Sequence, residues 1–345
     1  MPLLSIIVPI YNGEDYVEPL LQSMDRQTDK DFELIVVDDG STDGTLQRLY
    51  RMAGKMSYPI RIEHIAPSGV SAARNYGIRS ARGKYISFVD ADDCVVRNYV
   101  AVLKRVLAEK DFDLYVFQSK RVKENGSYAV KGKAFNRRRT SGAEMLHSLA
   151  VNPTRYGVYN LFIRRSYLES HEFAFAESFD YYEDYDLLIR LFSAAENIFL
   201  SESVLYNYVQ HSGSAVSQFQ VKRFEDLALL NVLVPYLRQI QPQFAQEYTR
   251  WFLPRIWWSL LWQSCFAFSG KDWNAFLKDS NMADQIRKLD HHPDRKVRDS
   301  ASLFLRSPNL FRCAVLLVGR GHSQVRRTEY APFRAYFDVV EKNEM

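Results

Sequence analysis

The residues of this chain best able to do chemistry are carboxylates that follow apolar runs. Asp90, Asp92 and Asp93 come directly after Lys84–Val89, a run that reads as a strand. Side chains alternate along a strand, so Asp90 and Asp92 share a face if strand geometry continues through them. Two carboxylates on one face repel unless a cation or hydrogen-bond donors offset the charge. A hard divalent ion, held by one or two carboxylates and substrate phosphates, is the natural solution. A turn, or an acid-rich helix start, accounts for the same residues without a metal.

Other candidates carry the same double reading. Asp38 and Asp39 end a second apolar run, Glu33–Val37. One of them can cap the helix that starts near Thr45, together with Ser41 or Asp43. Alternatively one accepts a hydrogen bond from a nucleobase N–H. Arg74 lies in Gly69–Gly77, where Gly69, Ser71, Ala72 and Ala73 let a helix approach other backbone closely. A guanidinium there could reach a base or a phosphate, and an ordinary surface arginine fits the spacing as well. Asp180, Glu183, Asp184 and Asp186 crowd seven residues at a predicted helix start. Acids in a first turn gain about 0.3–1 kcal/mol each from the helix dipole. This set exceeds what capping needs, and a carboxylate among them could serve as a general base. His211 follows the strand-like run Val204–Val209 and could add a third metal ligand.

These residues need a frame to hold them. Strand-like runs at Leu4–Ile10, Glu33–Val37, Arg61–Ile65, Lys84–Val89 and Asp113–Phe117 alternate with helical spacing at 16–27, 45–52, 71–81 and 98–110. That alternation predicts βαβ units and a parallel sheet, with ligands beyond the carboxyl ends of the strands. Tyr11-Asn12-Gly13, Asp38–Ser41 and Asp90–Asp93 would then lie along one edge. Residues 120–140 are basic and contain the turn pair Asn125-Gly126, so an exposed hairpin or loop is expected there, including Arg137-Arg138-Arg139. After Ser217 strand signals fade and apolar residues recur at helical spacing. The expected organisation is a catalytic α/β domain over residues 1–215 and a mainly helical domain over 216–345.

Composition narrows the class. The chain has 345 residues, 47% of them hydrophobic and 25% charged, which suits a folded chain with a large core. Three scattered cysteines make neither a disulfide framework nor a thiolate zinc site. The net charge of +4 does not by itself indicate nucleic-acid binding, and none is expected. The first residues, MPLLSIIVPIYNGEDY, lack the basic start and the full apolar region of a signal peptide. The most apolar later stretch, Trp251–Phe268, is interrupted by Pro254, Arg255 and Gln263 and is too short to span a bilayer. A cytoplasmic protein is expected, with peripheral attachment at the inner face of the cell membrane left open.

Taken together, the motifs resemble those of family 2 glycosyltransferases of the GT-A fold. Ser5–Asn12 is similar to the family's opening strand, and Phe32–Asp43 to its second strand and nucleotide loop. Gly69–Gly77 resembles its G-x-S-x-A-R-N-x-G helix, and Gly83–Asp93 its DxD strand. Tyr182–Arg190 resembles its ED motif, and Tyr206–Ser214 the strand after it. The matches run in the family's order across residues 3–215. The resemblance implies a Rossmann-like, mostly parallel α/β sheet flanked by helices. It also implies an inverting transfer of a sugar from a nucleotide-diphosphate donor, with a UDP-sugar as the expected donor. The acceptor would be a hydroxyl of a glycan or lipid-linked saccharide, as in cell-surface polysaccharide synthesis.

By the same resemblance, Pro9, Tyr11 and Asp39 frame the nucleobase and Arg74 also contacts the nucleotide. Asp90 binds the ribose, and Asp92 binds the Mn²⁺ or Mg²⁺ that bridges the diphosphate. Asp184 is the catalytic base, Glu183 is its neighbour in the acceptor site, and His211 is a metal or phosphate contact. The chain departs from the family at Tyr159-Asn160-Leu161, where W-N-K is common, which leaves an acceptor contact there open. Rival readings are a nucleotidyltransferase, which would show a Gly-rich phosphate loop near the N-terminus, and a non-catalytic sugar-nucleotide binding or membrane-surface protein. In the C-terminal region, Trp251, Phe252, Trp257, Trp258, Trp262, Phe266 and Phe268 could pack a bundle. With Arg312, Arg320, Arg326, Arg327 and Arg334 they could instead form a face for an anionic membrane. Dimerisation through these helices is also open.

Overall fold

The computed structural model describes residues 1–123, 137–210, 220 and 222–318. His211, Asn125-Gly126, Arg320, Arg326, Arg327 and Arg334 lie outside them. The chain divides into two units, Met1–Glu144 with Tyr156–His211, and Met145–Arg155 with Ser212–Met345.

The first unit is built on β1 (Leu4–Ile10), α1 (Val17–Asp25), β2 (Phe32–Asp38), α2 (Thr45–Ala53), β3 (Ile60–His64), α3 (Val70–Ser80) and β4 (Tyr85–Phe88). There follow β5 (Cys94–Val95), α4 (Tyr99–Leu107), β6 (Leu114–Lys123), β7 (Arg137–Thr140) and α5 (Gly142–Val151), within which the unit boundary falls. It is completed by β8 (Leu161–Arg164), α6 (Arg165–Ser170), α7 (Glu183–Ala194) and β9 (Ile198–Gln210). The strands form one sheet in the order β3-β2-β1-β4-β8-β6-β9-β5, with β7 also on β9. β3, β2, β1 and β4 are parallel, β8 is antiparallel to its neighbours, and β6 and β9 are parallel.

Every residue of β1 and β2 is buried, as expected of central strands covered on both faces. Leu4, Ile6, Val8 and Ile10 join a core with Val17, Leu20, Leu21 and Met24 of α1 and with Tyr99, Leu103 and Val106 of α4. On the opposite face, α3 rides close to β1 through Gly77, where an added Cβ would lie 2.3 Å from Ile7 Cγ2. Any larger residue there would push the helix off the sheet.

The chain leaves β1 for β2 and β3 on one side, while β4 pairs on the other. This is a topological switch point, and in open α/β sheets the crevice at its carboxyl edge is where ligands bind. Ile10 lies opposite Asp38 and Ile7 opposite Phe88 in register. Tyr11, Asp39 and Asp90 therefore emerge side by side at that edge, as the sequence reading requires.

Two expectations are corrected. Arg137–Arg139 do not lie in a loop. They belong to β7, which pairs antiparallel with Ile198–Ser201. The residues are charged because this is an added strip at the sheet margin, where charge discourages pairing with other chains. Strand geometry also does not continue into the aspartates. β4 ends at Phe88, and Asp93 N–H donates to Asp90 O at 3.1 Å, closing a turn.

The described part of the second unit is helical. After α8 (Lys222–Glu225) come α9 (Leu227–Ile240), α10 (Pro242–Glu247), α11 (Leu253–Ala267), α12 (Gly270–Asp279), α13 (Met282–Arg287), α14 (Arg295–Arg306) and α15 (Pro308–Val318). The aromatic stretch at 251–268 forms much of its core. Phe252, Trp257 and Phe268 are buried, and Trp258 is tied by Nε1–H to Ser300 Oγ at 3.0 Å. Arg312 is likewise turned inward, donating to Phe268 O at 2.5 Å with its guanidinium over the Trp273 ring. Packing therefore accounts for Phe252, Trp257, Trp258, Phe268 and Arg312.

Candidate active site

The centre of the site is a buried guanidinium. Arg74, on α3, donates through Nη2 to Asp90 at 3.0 Å, and through Nη1 to Asp184 at 3.0 Å and Glu183 at 3.2 Å. Its side chain is 6% exposed. Sequence reading placed Arg74 against the nucleotide. The structure gives its fork three carboxylate partners from two distant motifs.

The acids titrate abnormally because they are crowded and desolvated. Burial, with Asp184 adding repulsion, pushes Glu183 up to about 8, and Arg74 opposes this. Asp184 is also raised, by burial first, with Arg74 lowering it and Asp90 raising it. Its side chain remains 30% exposed, so it is reachable. A carboxylate moved towards neutrality is a stronger base, and the adjacent guanidinium keeps its ionised form accessible.

Backbone geometry presents these acids. Tyr182, just before Glu183, is left-handed at φ 70°, an unfavourable setting for a tyrosine that costs roughly 1–3 kcal/mol. The loop leading to it is clamped by Asn75. Phe175 N–H donates to Asn75 Oδ1 at 2.8 Å, while Asn75 Nδ2 donates to Phe175 O at 2.9 Å and to Glu177 at 2.8 Å. The Phe175 ring then lies 5.1 Å beneath the Arg74 guanidinium. Adjacent residues of α3 thus hold the acids and the loop that delivers them.

The other aspartates divide their work. Asp93 accepts from Tyr206 Oη–H at 2.6 Å and Val209 N–H at 2.7 Å, which binds the turn to β9. Burial and then Asp90 push it up to about 8. Asp90 and Asp92 remain half-buried at the switch crevice. Asp92 borders a cavity of about 620 Å³, together with Arg26, Arg97 and Asn207. Among the described residues no group of three or more His, Cys, Asp or Glu side chains is placed to hold a metal. Asp90 and Asp92 nevertheless supply hard oxygen donors, and Mg²⁺ or Mn²⁺ commonly takes one or two carboxylates with the rest from substrate and water. That donor set fits.

Asp39 accepts from the N–H groups of Ser68 at 2.7 Å and Gly69 at 2.8 Å, so it fixes the loop entering α3. The start of α2 is held by Asp43 instead, which accepts from Thr45 N–H at 3.0 Å. Asp38 is fully buried, and its Oδ2 lies 2.6 Å from His64 Nδ1, a pairing the sequence reading missed. Pro9 is buried within β1, and Tyr11 is 58% exposed at its end. His211 falls outside the described residues.

Two tyrosines were also missed as site residues. The Tyr206 hydroxyl joins Asp93 to Asp90, accepting from Asp90 N–H at 3.1 Å. Tyr159 stacks on it with ring centroids 4.7 Å apart. Burial, followed by the charge of Asp90, raises the Tyr159 phenol. The available signal was the departure from W-N-K, an aromatic kept where tryptophan is common.

This mostly parallel sheet, with acids at its switch point, is that of the GT-A fold. The glycosyl transferase family 2 model matches residues 5–171. An uncharacterized glycosyltransferase of Rickettsia prowazekii is 30% identical over 236 residues, which cover 66% of this chain and 70% of that one. The chain belongs to glycosyl transferase family 2. Among solved structures it is similar in fold to Staphylococcus aureus TarS 1-349 in complex with UDP-GlcNAc, with TM-score 0.65 and 21% identity, covering 94% of this chain and 93% of that one. A mannosyltransferase of Pyrobaculum calidifontis in complex with GDP-Man and Mn²⁺ aligns at TM-score 0.54 and 18% identity, covering 99% and 87%.

Proposed function

We propose that the protein is an inverting, metal-dependent glycosyltransferase that moves a sugar from a UDP-linked donor to a hydroxyl of a glycan or lipid-linked saccharide. The observation that carries this reading is the junction at Arg74, which joins the Asp90 turn to the Glu183–Asp184 pair. Donor-side and acceptor-side acids thereby share one centre. The UDP-bound relative in fold supports the choice of nucleotide.

Pro9, Tyr11 and Asp39 frame the base at the ends of β1 and β2, Asp90 binds the ribose, and Arg74 orients the acids against the donor. Asp92 would hold the divalent ion, which when bound stabilises charge on the departing diphosphate. Asp184 accepts the proton of the acceptor hydroxyl as that oxygen attacks the anomeric carbon, and one displacement inverts the configuration. Glu183 borders the acceptor, and burial with the neighbouring Asp184 favours its protonated form, which limits repulsion beside Asp184.

The test is turnover of a panel of nucleotide sugars with Mn²⁺ or Mg²⁺, comparing wild type with Asp92→Ala and Asp184→Asn. Metal-dependent release of UDP, lost in Asp92→Ala, is the expected result. Absence of donor binding across the whole panel would sink the reading.

A further inference from the structure

The Asp90–Asp93 turn is tied to β9 by one phenol. The parallel ladder of β4 on β1 ends with Val89 N–H on Ile7 O at 3.0 Å. Asp90 N–H comes next and has no strand carbonyl to meet, and an unpaired backbone donor is costly away from water. Tyr206 Oη accepts that N–H at 3.1 Å and donates to Asp93 Oδ2 at 2.6 Å. The directions are fixed, because an amide can only donate and the hydroxyl has a single proton to give. Val209 N–H takes Asp93 Oδ1 at 2.7 Å, so both oxygens of Asp93 serve the turn. Asp90 is held a second time, at its carboxylate, by Arg74 Nη2 at 3.0 Å.

The phenol is costly unless it does this work. Tyr206 is fully buried, in β9 opposite Val95 of β5. A hydroxyl buried without a hydrogen bond costs about 1–3 kcal/mol, and phenylalanine would fill the same space without that cost. Tyr159 covers the ring, with centroids 4.7 Å apart and planes at 24°. Gly157 leaves room for Tyr159, since an added Cβ would lie 2.4 Å from its Cε1. Between the two clasped aspartates stands Asp92, half-buried beside the cavity of about 620 Å³.

We propose that Tyr206 is the positioning residue for Asp92: its hydroxyl, with Asp93, shapes the turn that presents the Asp92 carboxylate to a divalent ion. This role rests on the metal function proposed for Asp92 and adds what holds that ligand in place. A ligand fixed by its surroundings spares the ion the cost of ordering it, and outer-shell partners of metal ligands are worth roughly 10–100-fold in metal affinity.

The experiment measures Mn²⁺ binding to the full chain at saturating UDP, through the electron paramagnetic resonance signal of free Mn²⁺. Wild type, Tyr206→Phe, Asp93→Asn and the double variant are compared, with UDP affinity in EDTA and the thermal midpoint measured alongside. Tyr206→Phe keeps the ring and its stack on Tyr159 and loses only the hydroxyl. Its Mn²⁺ affinity should fall roughly tenfold or more, while UDP affinity in EDTA stays as in wild type. Asp93→Asn should lose a similar amount, because an amide offers one acceptor oxygen where the turn uses two. The double variant should fall no further than the weaker single variant, since both changes break the same clasp. Asp93→Asn carries the test alone if Tyr206→Phe does not fold. Wild-type Mn²⁺ affinity in the variants, with only the thermal midpoint lowered, would make the phenol structural and overturn its positioning role while leaving Asp92 a ligand. Losses that add in the double variant would overturn the shared clasp. Absence of Mn²⁺ binding by wild type would overturn the metal function of Asp92 and the role of Tyr206 with it.

Discussion

The guanidinium of Arg74 and the carboxylate of Asp184 stand 3.0 Å apart although 110 residues separate them in the chain. The same guanidinium holds Asp90, so one cation joins the two halves of the site. Because it is buried, its charge is poorly screened by solvent and bears directly on the acids around it.

Replacing Arg74 should therefore damage both fold and turnover. Arg74→Met leaves several acids without their counter-charge and should cost on the order of 3 kcal/mol, moderated by proton uptake on those acids. Arg74→Lys keeps the charge but not the fork, so it should recover stability better than activity. Urea unfolding alongside donor turnover separates the two effects. Equal loss of both in Arg74→Lys would count against the bridging role.

Asp184→Asn should bind donor as wild type does and lose transfer by roughly 10²–10⁴-fold, the range for a positioned general base. Calorimetric donor titration next to product release measures both quantities. A variant that still transfers at the wild-type rate would remove Asp184 from the mechanism.

The raised acids set a direction for pH. Glu183 and Asp93, each pushed up to about 8, hold protons in the folded chain that the unfolded chain has already lost above about pH 4.5. In that window the native state binds more protons, so their contribution to stability falls as pH rises from 5 to 8 and then levels off. Glu183→Gln removes one of the two titrations. Its thermal midpoint should therefore decline less than that of wild type between pH 5 and pH 8, and parallel curves would contradict the assignment.

Asn75 acts through the backbone it clamps. Asn75→Ala leaves Phe175 N–H and C=O without their partner, at about 1–3 kcal/mol for each buried group left unsatisfied. With the loop loosened, kcat should fall while the KM for donor changes little. Asn75→Asp keeps the acceptor for Phe175 N–H but places a carboxylate beside Glu177, so rescue should be partial. A change confined to donor KM would argue that Asn75 touches the nucleotide instead.

Chelation gives the simplest test of the metal. EDTA should abolish transfer and Mn²⁺ or Mg²⁺ should restore it, while Asp92→Ala should need far more metal for the same rate. Full activity in EDTA would exclude a metal role for Asp92.

Much of this protein is local and legible in its sequence. Leu4–Ile10 and Glu33–Val37 are apolar runs that read as buried strands, and their alternation with helical spacing predicts the parallel pairing that the fold shows. That pairing alone places Tyr11, Asp39 and Asp90 on one edge. Tertiary structure decided what each polar group does there. Nothing in the spacing of Asp90, Asp92 and Asp93 shows that Asp93 turns away to Tyr206 and Val209, since those partners lie 113 and 116 residues downstream. Nor does spacing show that Asp39 holds a loop while Asp43 serves α2, or that Arg74 faces acids before any nucleotide. The physical reason is common to all of these. Backbone pattern is fixed by neighbours a few residues away, whereas a side chain's charge state and partner depend on whatever the fold brings within hydrogen-bond reach.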